Sequence, residues 1–280
     1  SVIVAINDSL TIELKDTSEN FIPIFGGSVV DIDVTVSQAG SVAITQVVTI
    51  TALGALARLQ KALTDGVLTQ DFDGNQILTI LTDLLINNWS EVPAALTWAT
   101  YDPTVTWANA ENTGLGEIDT PADYELAQRA SNRVVMYDLI SALATSGLGY
   151  IYEDGQGRIS YADSTHRSQY LATNGYIDLT ANQALGTGIR TTTRAGDVRN
   201  DITIQYGIAS TSEVSDTDAT SISLYGNLAQ IITTTIKHQA DAEDQAAFYL
   251  ELRAYPQAFL ESITFALTNP ELDNGDRDSL

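Results

Sequence analysis

The chain has no cysteine, which excludes disulfides, thiol nucleophiles and thiolate metal sites. The absence is silent about compartment, since it suits the cytosol, a secreted protein or a virion. Positive charge is also scarce: 13 Lys and Arg stand against 36 Asp and Glu, giving a formal net charge of −23. A chain so acidic repels phosphate backbones, so specific nucleic-acid binding is not expected. Lys15, Lys61 and Lys237 are its lysines, and none closes a Gly-x-x-x-x-Gly-Lys loop, which disfavours nucleotide binding. Only His166 and His238 could act as near-neutral bases. Each is solitary, with no Gly-x-Ser-x-Gly nucleophile beside it, so both read as surface or structural histidines. No apolar run approaches membrane-spanning length, and no integral membrane segment or targeting segment is expected.

What the chain does have is 280 residues with 44% hydrophobic content and a mean hydropathy of zero. That suffices for two compact domains, or for one domain carrying a large insertion. The first fifty residues alternate with a period of two, the mark of an antiparallel sheet with one buried and one wet face. Val2, Val4 and Ile6 with Leu10, Ile12 and Leu14 predict a hairpin around Asn7-Asp-Ser9. Phe25-Gly-Gly27 then introduces Val30, Ile32, Val34 and Val36, with Asp31, Asp33 and Thr35 on the other face. After a turn at Gln38-Ala-Gly40, Val42, Ile44, Val48 and Ile50 continue the pattern.

The period then becomes helical. Leu53, Leu56, Leu59 and Leu63 form one stripe that ends before Gly66, and Asp73-Gly-Asn-Gln76 predicts a capping box for a second helix with Ile77, Ile80, Leu81, Leu84 and Leu85 inside. From Trp89 to Arg129 periodicity is weak; Trp89, Trp98, Tyr101 and Trp107 there suit either packing under a long loop or a ligand platform. Val134 to Asp163 reads as a helix, a glycine stop at Gly147 and Gly149, and a hairpin with its turn at Gly155 and Gly157. Further on, Ile202, Ile204 and Tyr206 predict a strand and Ala209–Ser221 a loop, and Ile231–Ile236 is a β-branched run. His238–Tyr255 predicts a helix stopped by Pro256, and Ile263, Phe265 and Leu267 a last strand.

The expected fold class is therefore α+β: antiparallel sheet or barrel domains interrupted by an α/β insertion with short helices and a hairpin. The expected division is a first β part over 1–52, an α/β insertion region over 53–185, and a second β-rich region with one long helix over 186–280. The chain is expected to be part of a longer polypeptide.

No chemistry-bearing constellation stands out, and no catalytic, cofactor-binding or metal-binding residues are expected. Carboxylate pairs arise by chance among so many acids. Asp71-Phe-Asp-Gly-Asn75 is similar to the start of a calcium loop, but the closing carboxylate is missing; Asp273-Asn-Gly-Asp-Arg-Asp278 suits a turn equally well. The arginines are uneven: Arg129, Arg133, Arg158, Arg167, Arg190, Arg194 and Arg199 fall in one quarter of the chain. They are either solvated or directed at a neighbouring subunit's acidic patch.

Four segments in order carry a family resemblance: Phe25-Gly-Gly-Ser-Val-Val-Asp-Ile32; Val48–Leu59, passing from strand to helix; the helix-and-hairpin cassette through Gly149–Asp163; and Asp197-Val-Arg-Asn-Asp-Ile-Thr-Ile204 followed by Ser221-Ile-Ser-Leu-Tyr-Gly226 and the helix from Ala240. Together the chain resembles the hub, or minor tail, proteins at the distal end of long-tailed bacteriophage tails. That resemblance implies a homotrimeric hub in the virion whose β-domains form a ring continuing the tail tube. It also implies contacts with distal tail or tail tube, tape measure and tip or fibre proteins, with no catalysis and no cofactor. On this reading Asp31 and Asp33 are expected to line an acidic channel that lets DNA slide through. A carbohydrate- or receptor-binding adhesin using Trp89, Trp98 and Trp107 is the competing expectation, separable because it alone requires Trp98→Ala to abolish glycan retention. A glycoside hydrolase is a third, which requires turnover of cell-wall polysaccharide.

Overall fold

The computed structural model describes residues 4–6, 8–15, 19–39, 43–86, 115–176 and 184–265. In chain order the strands are β1 (Ser9–Lys15), β2 (Phe21–Ala39), β3 (Ala43–Leu53), β4 (Leu63–Thr64), β5 (Asp71–Phe72), β6 (Leu115–Ile118), β7 (Glu125–Leu126), β8 (Val134–Val135), β9 (Tyr150–Glu153), β10 (Ile159–Ala162), β11 (Ala184–Thr193), β12 (Asp201–Tyr206), β13 (Ser212–Thr217), β14 (Ala229–Thr233) and β15 (Ala258–Phe265). The helices are α1 (Ala55–Leu59), α2 (Asp73–Ile86), α3 (Met136–Ser146), α4 (His166–Asn174), α5 (Ala219–Tyr225) and α6 (Gln239–Arg253). The class is mixed α+β, built on small, mostly antiparallel sheets, and among the described residues no sheet closes into a barrel. Two compact units result: Ser1–Asp123 with Ala130–Ser164, and Tyr124–Arg129 with Thr165–Leu280.

In the first unit β2 is the spine of a staggered antiparallel sheet in the order β1-β2-β3. Its start, Phe21 to Ser28, pairs with β1, and its remainder, from Ser28 to Ala39, pairs with β3. Of the expected hairpin around Asn7-Asp-Ser9, Val2 and Asn7 lie outside the described residues, and Leu10, Ile12 and Leu14 pair with Gly27, Phe25 and Ile22. Phe25-Gly-Gly27 does not introduce the strand either, since β2 runs through it. The leucine stripe also ends early. The helix stops at Leu59, and the backbone of Leu63 and Thr64 pairs with Val135 and Val134.

The core of this unit lies between α2, α3 and the hairpin β9/β10. Leu59, Ile77, Leu81, Ile140, Leu143, Ile159 and Tyr161 are fully buried; Leu139, Ile140 and Leu143 recur at helical spacing, which places them on one face of α3. Strands β9 and β10 pair as an antiparallel hairpin, and β6 adds in parallel on the far side of β10.

The second unit centres on the sheet β13-β12-β14, with β12 antiparallel to β13 and parallel to β14. Helix α6 covers one face, setting the small side chains Ala242 and Ala246 on Ile202 and Ile204; small residues let helix and sheet approach closely. The expected loop over Ala209–Ser221 instead contains β13 and the first turn of α5. Tyr124–Arg129 joins this unit through Leu126, bridged to Ile236, and the amide of Ala127, which donates to Thr235. A separate antiparallel ribbon pairs β11 with β15.

Candidate assembly surfaces

The motifs singled out in the sequence are where the backbone is held most closely. In the first unit the hairpin turn Asp154–Arg158 is organised by one carboxylate: Asp154 Oδ1 accepts from the amides of Gln156 and Arg158, both at 2.9 Å, and Oδ2 from Arg158 Nε at 2.7 Å. This turn lies against the start of β2 with no room for a side chain. A Cβ on Gly26 would stand 2.2 Å from the Gln156 carbonyl oxygen, and one on Gly155 2.3 Å from that of Pro23. Gly157 faces Gly26 in turn and has φ +79°, a conformation suited to glycine. Two segments 130 residues apart therefore use glycine for the same contact.

Gly147 and Gly149 serve a similar purpose. Gly147 follows α3 with φ −87°, and the left-handed residue at that helix end is Leu148, φ 52°. What requires glycine at 147 is space, because a Cβ there would meet Asp73 Oδ2 at 2.3 Å and the Tyr161 hydroxyl at 2.7 Å. Tyr161 donates its hydroxyl proton to Asp73, and both side chains are fully buried. Burial and the neighbouring carboxylate push the Tyr161 phenol well above its ordinary pKa. At the predicted capping box Asp73 turns inward to accept from Tyr161, and Gln76 Nε2 donates to the Thr69 carbonyl.

Glu153 closes a second tie within this unit. Its Oε1 accepts from the Leu56 amide at 2.5 Å, and Gly54 leaves the space its carboxylate fills. Burial raises the pKa of Glu153, opposed by that amide and reinforced by Asp154.

In the second unit the fourth segment meets at Asn200, which is fully buried. Its Nδ2 donates to Ser221 Oγ at 3.1 Å and to the Gly226 carbonyl at 2.8 Å, while Oδ1 accepts from the Leu228 amide. Ser221 Oγ donates onward to the Ala254 carbonyl. Asp218 caps α5 by accepting from the Ser221 amide, and Gly226 ends that helix at φ 80°. The Asp-Val-Arg-Asn and Tyr-Gly motifs are thus two sides of one buried polar junction.

These contacts explain the motifs as structure and leave surfaces as candidates for function. Beyond Ser28, β2 and β3 form a two-stranded arm. Its register places Ile32 opposite Ile50 and Val34 opposite Val48, so these side chains and Val36 share one face. That face was expected to be buried. Instead Val34, Val36 and Val48 are 59%, 60% and 55% exposed, and Ile50 is 40% exposed. The opposite face carries Asp31, Asp33, Thr35, Thr49 and Thr51 together with Val47, all exposed. Opposite β3, the edge of β2 from Asp31 to Ala39 has no strand among the described residues.

The arginines of the sequence cluster divide between the units and are mostly engaged. In the first unit Arg158 pairs with Asp154 at 2.7 Å and Arg133 approaches Asp65 at 3.9 Å. In the second, Arg190 and Arg194 both grip Glu261, at 2.6 and 2.5 Å. Partial burial lowers the pKa of Arg129, Arg167 is exposed on α4, and Arg199 donates Nη1 to the Gly196 and Val198 carbonyls. His238 Nε2 lies 2.5 Å from Glu125 Oε2 at the start of α6, and His166 opens α4. Asp71 Oδ1 accepts from Asn75 Nδ2 and from the Phe72 amide, so the calcium-like stretch is tied internally. Among the described residues no three His, Asp or Glu side chains group closely enough to hold an ion, and no helix is long and apolar enough to cross a membrane. Trp89, Trp98, Tyr101, Trp107 and Asp273–Asp278 lie outside the described residues.

No protein-family model and no curated protein matches the chain. Among solved structures it is similar to the prophage tail protein gp18 from Listeria monocytogenes EGD-e, at 14% identity and a TM-score of 0.43, covering 90% of this chain and 71% of that one. It is also similar to the tail protein from Neisseria meningitidis MC58, at 8% identity and a TM-score of 0.48, covering 83% and 60%. A third is the 43 kDa tail protein of prophage MuSo2 from Shewanella oneidensis, at 12% identity and a TM-score of 0.43, covering 84% and 59%. At these values no residue role is transferred from them.

Proposed function

We propose that the chain is a structural protein of a phage virion. As a homotrimer it forms the hub at the distal end of the tail and joins the tail tube and tape measure protein to tip or fibre proteins. It has no catalytic role in this reading. The observation that carries the proposal is the β2/β3 arm, with an edge unpaired among the described residues and an apolar face of Val34, Val36, Val48 and Ile50 turned to solvent. A long apolar strand pair left bare would aggregate, and proteins that keep one cover it in an assembly. In a chain of net charge −23, an uncharged face is also where copies meet with least repulsion. The ordered family motifs support the identity of that assembly, since the close glycine contacts and the Asn200 junction give each of them a structural reason.

On this reading the opposite face of the arm, with Asp31 and Asp33, borders the channel. Carboxylates there repel DNA at short range and keep the passing genome from adhering. Cysteine cross-linking between copies tests the placement. A single cysteine at Asp33 should sit within reach of its symmetry mates around the hole. An Asp33 position on the outer surface of a visualised ring would sink the channel assignment.

A further inference from the structure

In the second unit two further arginines, Arg199 and Arg253, stand close together at the surface. Arg199, just before β12, and Arg253, the last residue of α6, are held side by side, with the Arg199 amide donating to the Arg253 carbonyl at 2.9 Å. Between them opens a shallow cleft of about 180 Å³, walled by Leu252, Tyr255 and Phe259 and rimmed by Asp197 and Gln257. Leu252 is 48%, Phe259 47% and Tyr255 38% exposed, so the walls are bare hydrocarbon and ring surface. Arg199 is held by its two carbonyl acceptors. Arg253 donates Nη1 to Gln230 Oε1 and lies 5.9 Å from the centre of the Tyr249 ring. Each guanidinium is thus fixed through one nitrogen, with its remaining N–H groups unpaired by protein among the described residues.

We infer that this cleft docks an acidic protein segment carrying one large apolar side chain. The apolar group fills the space among Leu252, Tyr255 and Phe259, and a flanking carboxylate pairs with Arg199 and Arg253. Charge selects the occupant. Among the residues lining the cleft two guanidiniums face one carboxylate, Asp197, with Asp218 engaged by the Tyr255 hydroxyl at 3.3 Å, whereas the whole chain is −23. A short acidic segment reaches the local positive charge within a Debye length, while a long polyanion such as DNA meets the repulsion of the remainder. Guanidiniums already oriented by backbone acceptors lose little freedom on pairing, and pairs of this kind beside apolar walls fix the register of a partner. The inference stands on these residues alone and holds whether or not the chain forms a tail hub.

The test uses the full chain and a fluorescein-labelled peptide with one phenylalanine flanked by aspartates, read by fluorescence anisotropy against the same peptide with asparagines. The acidic peptide should bind at least about tenfold more tightly, and Arg253→Gln should remove about that factor. Phe259→Ala should weaken both peptides while leaving their ratio unchanged. Arg199→Gln should act as Arg253→Gln does; because Arg199 also holds backbone carbonyls, its circular dichroism is compared, and Arg253→Gln with Phe259→Ala decides the matter if it unfolds. Equal binding of the two peptides, no binding of either, full affinity in Arg253→Gln, or tighter binding of a single-stranded oligonucleotide would overturn the inference.

Discussion

At the scale of single residues, the chain spends its rare buried polar groups on joints. Tyr161 and Asp73 form one such joint, with Gly147 leaving the room. A hydrogen bond to a buried carboxylate is worth more than one between neutral groups, so Tyr161→Phe should destabilise the first unit by about 2 kcal/mol. Urea denaturation measures this, and an unchanged midpoint would contradict it. Glu153 offers a pH test. Its pKa is raised in the fold by burial, so the folded state holds the proton more tightly than the unfolded one. The resulting stability is fully present below the ordinary glutamate pKa and is lost as pH rises through the raised value. Glu153→Gln, which keeps an acceptor for the Leu56 amide, should remove that part of the dependence. The difference in melting temperature between variant and parent should therefore grow in the variant's favour from acid to neutral pH, and a constant difference would refute the assignment.

At the scale of elements, the close approach of the Asp154–Arg158 turn to β2 makes one substitution decisive. Gly26→Ala places a methyl group 2.2 Å from the Gln156 carbonyl oxygen, and the backbones must part. The expected cost is about 1–3 kcal/mol, with faster amide exchange in the 154–158 turn; a native exchange pattern would show that the contact is not required. This contact also marks the limit of what the sequence discloses. The helix-and-hairpin cassette was legible because its local period and turn glycines agree with its place in the core. Helix α6 was legible within two residues at each end, and Ile202–Tyr206 by its alternation. The partner of Phe25-Gly-Gly27 was not, because the reason for those glycines lies 130 residues away. Strand β13 was hidden because it is a polar edge: only Val214 packs inward, while Ser215 and Glu213 meet Thr203 and Gln205 across the outer face. The alternation of β2 and β3 was legible as sheet, but period alone cannot say whether an apolar face is covered by the same chain.

At the scale of the whole molecule, a net charge of −23 opposes association and the apolar arm favours it. Raising ionic strength screens the first and leaves the second, so the associated fraction should increase with salt at fixed protein concentration. Sedimentation velocity reads this directly, and dissociation by salt would mean that ion pairs hold the copies together. In the proposed function the bare face of the β2/β3 arm joins copies of this chain into a ring. Light scattering combined with negative-stain microscopy, on the parent and on Val34→Asp with Val48→Asp, tests it most directly. The expected result is a three-fold ring with a central hole for the parent and a folded monomer for the variant. A parent that stays monomeric at high concentration, or a ring that survives both substitutions, would contradict it.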